Sequence, residues 1–215
     1  IEAVTGVQTC ALPILPIDVQ KIGCHMLAAT SRKYLRGPRG MGFLYVEQSL
    51  CQRLEPAFLD LHAASLLTAD SFKIRTDARR FENWECNVAA KLGLGAAVEY
   101  ALVQGIKPMW QRIQHLAGYL RHRMTEVADI TPQDLGRVKS GIVTFSHRHN
   151  SAAQAQQWLA AQPKRINVST STAGSTLLDM QHRGLLEVSR ASLHAYNTEA
   201  EIDTLIDALI RLSYA

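Results

Sequence analysis

The residue types with the most chemical promise lie in one short run, Thr30 to Val46 (TSRKYLRGPRGMGFLYV). Arg32, Lys33, Arg36 and Arg39 form the one cluster of positive charge in a chain whose charges are otherwise spread out. An amine that condenses with a carbonyl carbon must be neutral, a form that an adjacent cation favours, and Arg32 stands directly beside Lys33. Thr30, Ser31 and Arg32 add hydroxyls and a guanidinium, a donor set suited to a phosphate group. The plainer readings of the same run are a solvated basic loop or a nucleic-acid patch made by Arg32, Lys33, Arg36 and Arg39. A formal charge of +4 in 215 residues is mild, so bulk nucleic-acid binding is not the first reading.

Other reactive side chains offer less. Cys10, Cys24, Cys51 and Cys86 show no CxxC spacing and no histidine at metal-ligand distance, which suits reduced thiols in a cytoplasmic protein. His115 with His122, or His147 with His149, lack the carboxylate or cysteine that would complete a metal set, so no metal is expected. No apolar run approaches the length of a membrane span. Hydrophobic residues at 47% and charged residues at 20% are an ordinary globular balance, sufficient for a buried core.

The elements that must position this chemistry are legible in outline. His25 to Thr30 reads as a short strand that runs into the glycine-punctuated loop, and Gly42 to Val46 as a second strand. Gln48–Leu54 starts as a helix, and residues through Arg80 are mixed and polar. Ala90, Leu94, Ala97, Val98 and Ala101 recur at helical spacing, with Gly105 as a C-cap. A second long helix, about Lys107 to Ala128, carries Ile113, Leu116, Leu120 and Met124 on one face. Strands are expected at Gly141 to Ser146, Ile166 to Thr170 and Leu185 to Ser192, with a helix at Ala152 to Gln162. Thr198 and Glu201 form a capping box before the last helix. Val4 to Ile14 (VTGVQTCALPI) equals the conceptual translation of a widely used sequencing adapter, so residues 1–14 read as foreign and native sequence as beginning near Leu15.

Three segments together resemble the class V aminotransferase family, pyridoxal-phosphate (PLP) enzymes of fold type I that include isopenicillin-N-epimerase-like and cysteine-desulfurase-like branches. Thr30 to Val46 resembles the family's cofactor-lysine region, VSRASLHAYNTEAEID (Val188 to Asp203) its end signature, and RRFENWECNVAAKLGLGAAVEY (Arg79 to Tyr100) the stretch between. The resemblance implies an α/β chain, a partial PLP-dependent transferase fold of type I. Residues 15–105 would be the C-terminal part of the large PLP-binding domain, and 106–215 a small α+β domain. It implies pyridoxal 5'-phosphate as cofactor, Lys33 as the Schiff-base lysine and α-proton base, and Thr30, Ser31 and Arg32 as phosphate-holding neighbours. Arg190 would grip the α-carboxylate of an amino-acid substrate in a bidentate fork; pairing with a local acid such as Glu187 is the structural alternative. Asn197 and Thr198 read as helix-start residues, and His194 as a packed or solvent-facing histidine.

The expected activity is that of a PLP-dependent aminotransferase-type enzyme, with a C–S lyase or epimerase of the same family as the alternative. The RRFENWE and TSRK variants lean towards the isopenicillin-N-epimerase-like and ergothioneine C–S-lyase-like branches. A non-catalytic binding domain using the basic loop 32–39 is the reading from another class. The sequence departs from the family at several points. Thr30 and Arg32 stand where many members have serine and histidine, and Glu85 where a partner-subunit threonine often meets the phosphate. Thr172 occupies the place of the catalytic cysteine of desulfurating members, and with no cysteine after Cys86 persulfide transfer is disfavoured. The family's pyridine-binding aspartate, roughly 25 residues before the lysine, falls near Val7, so this chain alone is expected to bind PLP poorly and to be inactive. A homodimer is the family norm.

Overall fold

The computed structural model describes residues 16–214. The chain separates into two compact units, one ending at Ile106 and the other beginning at Lys107.

The first unit is built on hairpins. A short helix α1 (Val19–Ile22) is capped by the Asp18 carboxylate and closed by Gly23 in the left-handed region, φ 69°. Strands β1 (Met26–Thr30) and β2 (Gly42–Val46) pair antiparallel from Met26 opposite Val46 to Thr30 opposite Gly42. Glycine is required at 42, because a Cβ there would collide with the Ala29 carbonyl oxygen. Helix α2 (Gln48–Arg53) follows, then a second hairpin of β3 (Ala64–Thr68) and β4 (Ser71–Ile74). Nothing in the sequence marks this hairpin within the mixed stretch: its 69–70 turn is Ala-Asp, without the glycine or asparagine that marks tight turns, and Leu66 and Leu67 are exposed. Asn87 caps helix α3 (Val88–Gln104) through its side-chain oxygen, and Gly105 ends it.

The second unit is a two-layer α+β arrangement. A four-stranded antiparallel sheet has the order β5-β6-β8-β7, from β5 (Ile130–Pro132), β6 (Ile142–His147), β7 (Ser169–Thr172) and β8 (Glu187–Ser192). Helices α4 (Ile106–Met124), α5 (Ala152–Ala160) and α7 (Glu199–Leu212) share one core with it. Leu116, Leu120 and Met124 of α4 meet Val143 and Phe145 of β6, Leu159 of α5, and Ile206 and Leu209 of α7, all fully buried. Each such side chain contributes about 1.5–3 kcal/mol on leaving water. The expected capping box is present: Thr198 accepts from the Glu201 N–H, and the Glu201 carboxylate accepts from the Thr198 N–H.

Several boundaries shift by one or more residues from the sequence expectation, and three of the shifts have a plain local cause. The helix expected to reach Ala128 ends at Met124, because the amides of Thr125, Glu126 and Val127 bond three residues back in tighter turns. The strand expected at Ile166 to Thr170 lies at Ser169–Thr172, since Val168 belongs to the core while the polar STST segment forms the ladder to β8. The strand expected from Leu185 starts at Glu187, because the Leu185 amide closes helix α6 (Leu177–His182) on the Met180 carbonyl.

Candidate functional site

Lys33 stands in the connection between β1 and β2, and that connection is braced at several points. The Ser31 amide donates to the Met41 carbonyl at 3.0 Å and the Gly37 amide to the Ser31 carbonyl at 2.9 Å. Ser31 is fully buried, and its hydroxyl donates to the Pro38 carbonyl oxygen. The Thr30 hydroxyl lies 3.5 Å from the Met41 carbonyl, a long bond that is easily exchanged for a better acceptor. The Arg36 amide donates to the Lys33 carbonyl at 2.9 Å, with Arg36 itself in the left-handed region at φ 60°. The Arg36 guanidinium lies 5.0 Å from the centroid of the Tyr100 ring on α3, a cation–π contact. Gly93 brings the same helix close to the loop, for a Cβ there would lie 2.7 Å from Pro38 Cγ. Arg32 is exposed and Lys33 partly so, and neither side chain makes a hydrogen bond or ion pair among the described residues.

The second unit presents Arg190 from β8. Its neighbour Ala191 belongs to the helix-covered core, so strand alternation puts Arg190 on the opposite face, with Thr144 of β6 and Ser169 of β7 directly across in register. Arg190 Nε–H donates to Ser169 Oγ at 3.0 Å. No ion pair forms at Arg190 among the described residues. Glu187, the acid weighed as its structural partner, instead accepts the Ala152 amide at 3.0 Å. The terminal nitrogens of the guanidinium make no hydrogen bond among the described residues.

The remaining positions have plainer placements. Thr172 is exposed at the end of β7, and Glu85 is exposed. His194 is buried and stacks on Tyr196 with ring centroids 4.6 Å apart. Asn197 Oδ1 accepts the His194 amide at 2.9 Å and its amide group donates to Glu201, so it organises the helix start with Thr198. The segment 1–14, with Cys10 and Val7, lies outside the described residues. No group of three or more histidine, cysteine, aspartate or glutamate side chains among the described residues could hold a metal ion, and no helix among them is long and apolar enough to cross a membrane. Ser169 was missed by sequence reasoning, because only the β7–β8 register reveals it as the neighbour of Arg190.

The donor set fits an aldehyde cofactor with a phosphate tail on structural grounds: an unengaged amine, an unengaged guanidinium one residue away and a loosely held hydroxyl share one braced connection.

A cysteine desulfurase of Escherichia coli O157:H7 (strain EC4115 / EHEC) is 29% identical over 202 residues, covering 92% of this chain and 48% of that protein. The crystal structure of the cysteine desulfurase CsdA from Escherichia coli superposes with a TM-score of 0.80 at 22% identity, covering 93% of this chain and 49% of that one. A mutant of C-DES with glycine covalently linked to its PLP cofactor superposes with a TM-score of 0.75 at 21% identity, covering 91% and 48%. C-DES is described as a cystine C–S lyase. The chain spans about half the length of the curated relatives it matches. The family model for class-V aminotransferases matches residues 3–205, which includes most of the segment that reads as foreign and so does not set it apart. This chain belongs to the aminotransferase class-V family.

Proposed function

We propose that this chain forms part of a PLP-dependent enzyme that acts on an amino-acid substrate, with Lys33 as the lysine that holds the cofactor. The observation that carries the reading is an amine without a hydrogen-bond or ion-pair partner among the described residues, held in a braced loop beside an Arg32 side chain equally unengaged among them. In this reading Arg32 and Thr30 face the cofactor phosphate, and Ser31 keeps the loop closed through Pro38. When bound, PLP supplies an electron sink that lowers the barrier to removing the substrate α-proton. Lys33 Nζ takes that proton, and Arg190 holds the α-carboxylate through its terminal N–H groups.

Between aminotransferase and C–S lyase outcomes, the cysteine desulfurase relatives favour cleavage of a carbon–sulfur bond. Thr172 cannot carry a persulfide, so the sulfur would leave rather than be held on the chain. The balanced reaction is a β-elimination: the α-proton is removed, the Cβ–S bond breaks with its electron pair going to sulfur, and the sulfur leaves as a thiolate (hydrosulfide from cysteine) that takes up a proton. Water then completes conversion of the remaining carbon skeleton to pyruvate and ammonia. A homodimer remains part of the proposal, on the family norm alone.

The test is incubation with excess PLP, borohydride reduction and mass mapping of the modified peptides. Lys33 should dominate the phosphopyridoxyl adducts over the other lysines, and Lys33→Arg should abolish that adduct. Labelling spread evenly over the surface lysines would refute the assignment. In the longer enzyme of which this chain is proposed to form part, L-cysteine as substrate separates the outcomes: pyruvate and sulfide mark elimination, whereas alanine marks desulfuration with sulfur transfer.

A further inference from the structure

We propose that Ser169 is the positioning residue of Arg190, fixing the plane of the fork that receives a carboxylate. The proposal rests on the reading of Arg190 as a carboxylate fork and names the residue that gives the fork its direction.

An arginine on an open sheet face has four rotatable bonds and sweeps a wide arc, so a fork that is to meet one carboxylate needs a second point of attachment. In register, Arg190 has two lateral neighbours, Thr144 and Ser169. Thr144 is already committed: its hydroxyl donates to Asp134 Oδ1 at 2.5 Å, and Asp134 is itself paired with Arg121 at 2.6 Å. That pair is nearly enclosed, with side-chain exposures of 15% and 8%, so Asp134 is held in place and keeps Thr144 turned towards it. Ser169 alone takes Arg190, through Nε–H to Oγ at 3.0 Å.

The choice of nitrogen matters. Nε lies in the guanidinium plane, so an acceptor there fixes the plane and leaves both terminal NH2 groups, the pair that makes a bidentate contact with a planar carboxylate. With its plane fixed by Ser169, Arg190 presents two parallel N–H donors to one anion, a geometry that suits the α-carboxylate of an amino acid.

The test uses the full chain labelled with nitrogen-15 and follows the Arg190 Nε–Hε resonance, assigned by its loss in Arg190→Lys. Sodium acetate is the carboxylate probe, and sodium chloride at equal ionic strength is the control. Acetate should shift the resonance saturably where chloride does not. Ser169→Ala should weaken acetate binding at Arg190 by about fivefold, the worth of one ordinary hydrogen bond. Ser169→Thr should restore it, and Ser169→Cys, with a weaker acceptor of similar size, should fall between. A merely structural role would move the melting midpoint of these variants without moving the difference between acetate and chloride. Equal acetate affinity in Ser169→Ala and the unsubstituted chain would overturn the role of Ser169 and leave the fork standing. No acetate-specific shift at Arg190 in the unsubstituted chain would overturn both.

Discussion

The two units use similar apolar content in opposite ways. In the second, apolar side chains from three helices and the sheet converge, and Phe145, Ile113, Leu116, Leu120, Ile206 and Leu209 lose essentially all contact with water. In the first, the buried apolar residues are Ala29, Leu35, Val46, Cys51, Ala63 and Ala101, while Phe43, Leu44, Phe58, Leu61, Leu66, Leu67 and Phe72 are exposed. The cause is architectural. A two-stranded hairpin buries little by itself, and each sheet of the first unit has only two strands. Helix α3 is apolar around most of its circumference, with Leu92, Leu102 and Val103 exposed, a pattern that belongs to helices covered on every side. A groove of about 490 Å³ among Leu27, Phe43, Tyr45, Val98 and Leu102 continues that open apolar surface. The Lys33 loop thus sits on the unit with the smaller core, and backbone bonds, the close approach at Gly93 and the Arg36–Tyr100 contact brace it.

The largest effect that would sharpen this comparison is cavity formation. Phe145→Ala should destabilise the second unit by about 3–5 kcal/mol, whereas Phe72→Ala, half exposed on β4, should change stability by no more than about 0.5 kcal/mol. Urea unfolding followed by amide hydrogen exchange separates the two units in one experiment. Similar losses for both variants would erase the contrast. The dye ANS gives a second view: residues 107–215 expressed alone should unfold cooperatively and bind little dye, and most ANS fluorescence of the chain should come from the first unit. Strong dye binding by 107–215 would reverse the comparison.

Within the first unit, crowding the Lys33 loop should have an effect of about 1–3 kcal/mol, the range for overpacking. Gly93→Ala places a Cβ 2.7 Å from Pro38 Cγ and should loosen the loop without unfolding β1 and β2. Faster exchange of the Ser31 and Gly37 amides, with less borohydride-trapped PLP at Lys33, is the expected readout. Unchanged trapping would show that the brace is unnecessary. In the second unit Thr198→Ala removes half of a capping box and should lower stability by about 1 kcal/mol, read as a shift in urea midpoint.

What the sequence revealed follows from the same contrast. The helix at α4 and the box at Thr198 and Glu201 were legible because one apolar face and one local motif determine them. Lys33 and Arg190 were legible as members of short motifs. The β3–β4 hairpin was not, since its strands lack both a turn signal and a buried face, and the short strand β5 ends in a proline. Ser169 was hidden for another reason: its partnership with Arg190 depends on strands separated by α6, and register is a property of the folded sheet.

The smallest expected effect concerns how acids anchor each unit. Glu199, beside Arg112 at 2.5 Å and His115 at 3.0 Å, has its pKa lowered from 4.5 to about 2, chiefly by the hydrogen bond from Arg112. Asp60 in the first unit is also held below the usual carboxylate value, but chiefly by the backbone amides of Trp84 and His62. For a carboxylate lowered on folding, the stabilisation is complete above the unfolded value and is lost as pH falls through the folded one. The Glu199 contribution should therefore fade between about pH 4.5 and 2. Both partners are about two-fifths exposed, so the contribution is small and salt screens it. Melting of the second unit should fall over that window, and Glu199→Gln should flatten the fall at low salt more than at high salt. Asp60→Asn should change the acid sensitivity of the first unit with little dependence on salt, because its main partners are amide dipoles rather than a mobile charge. Equal salt dependence for the two substitutions would mean that both units are anchored by the same electrostatics, and this part of the contrast would be lost.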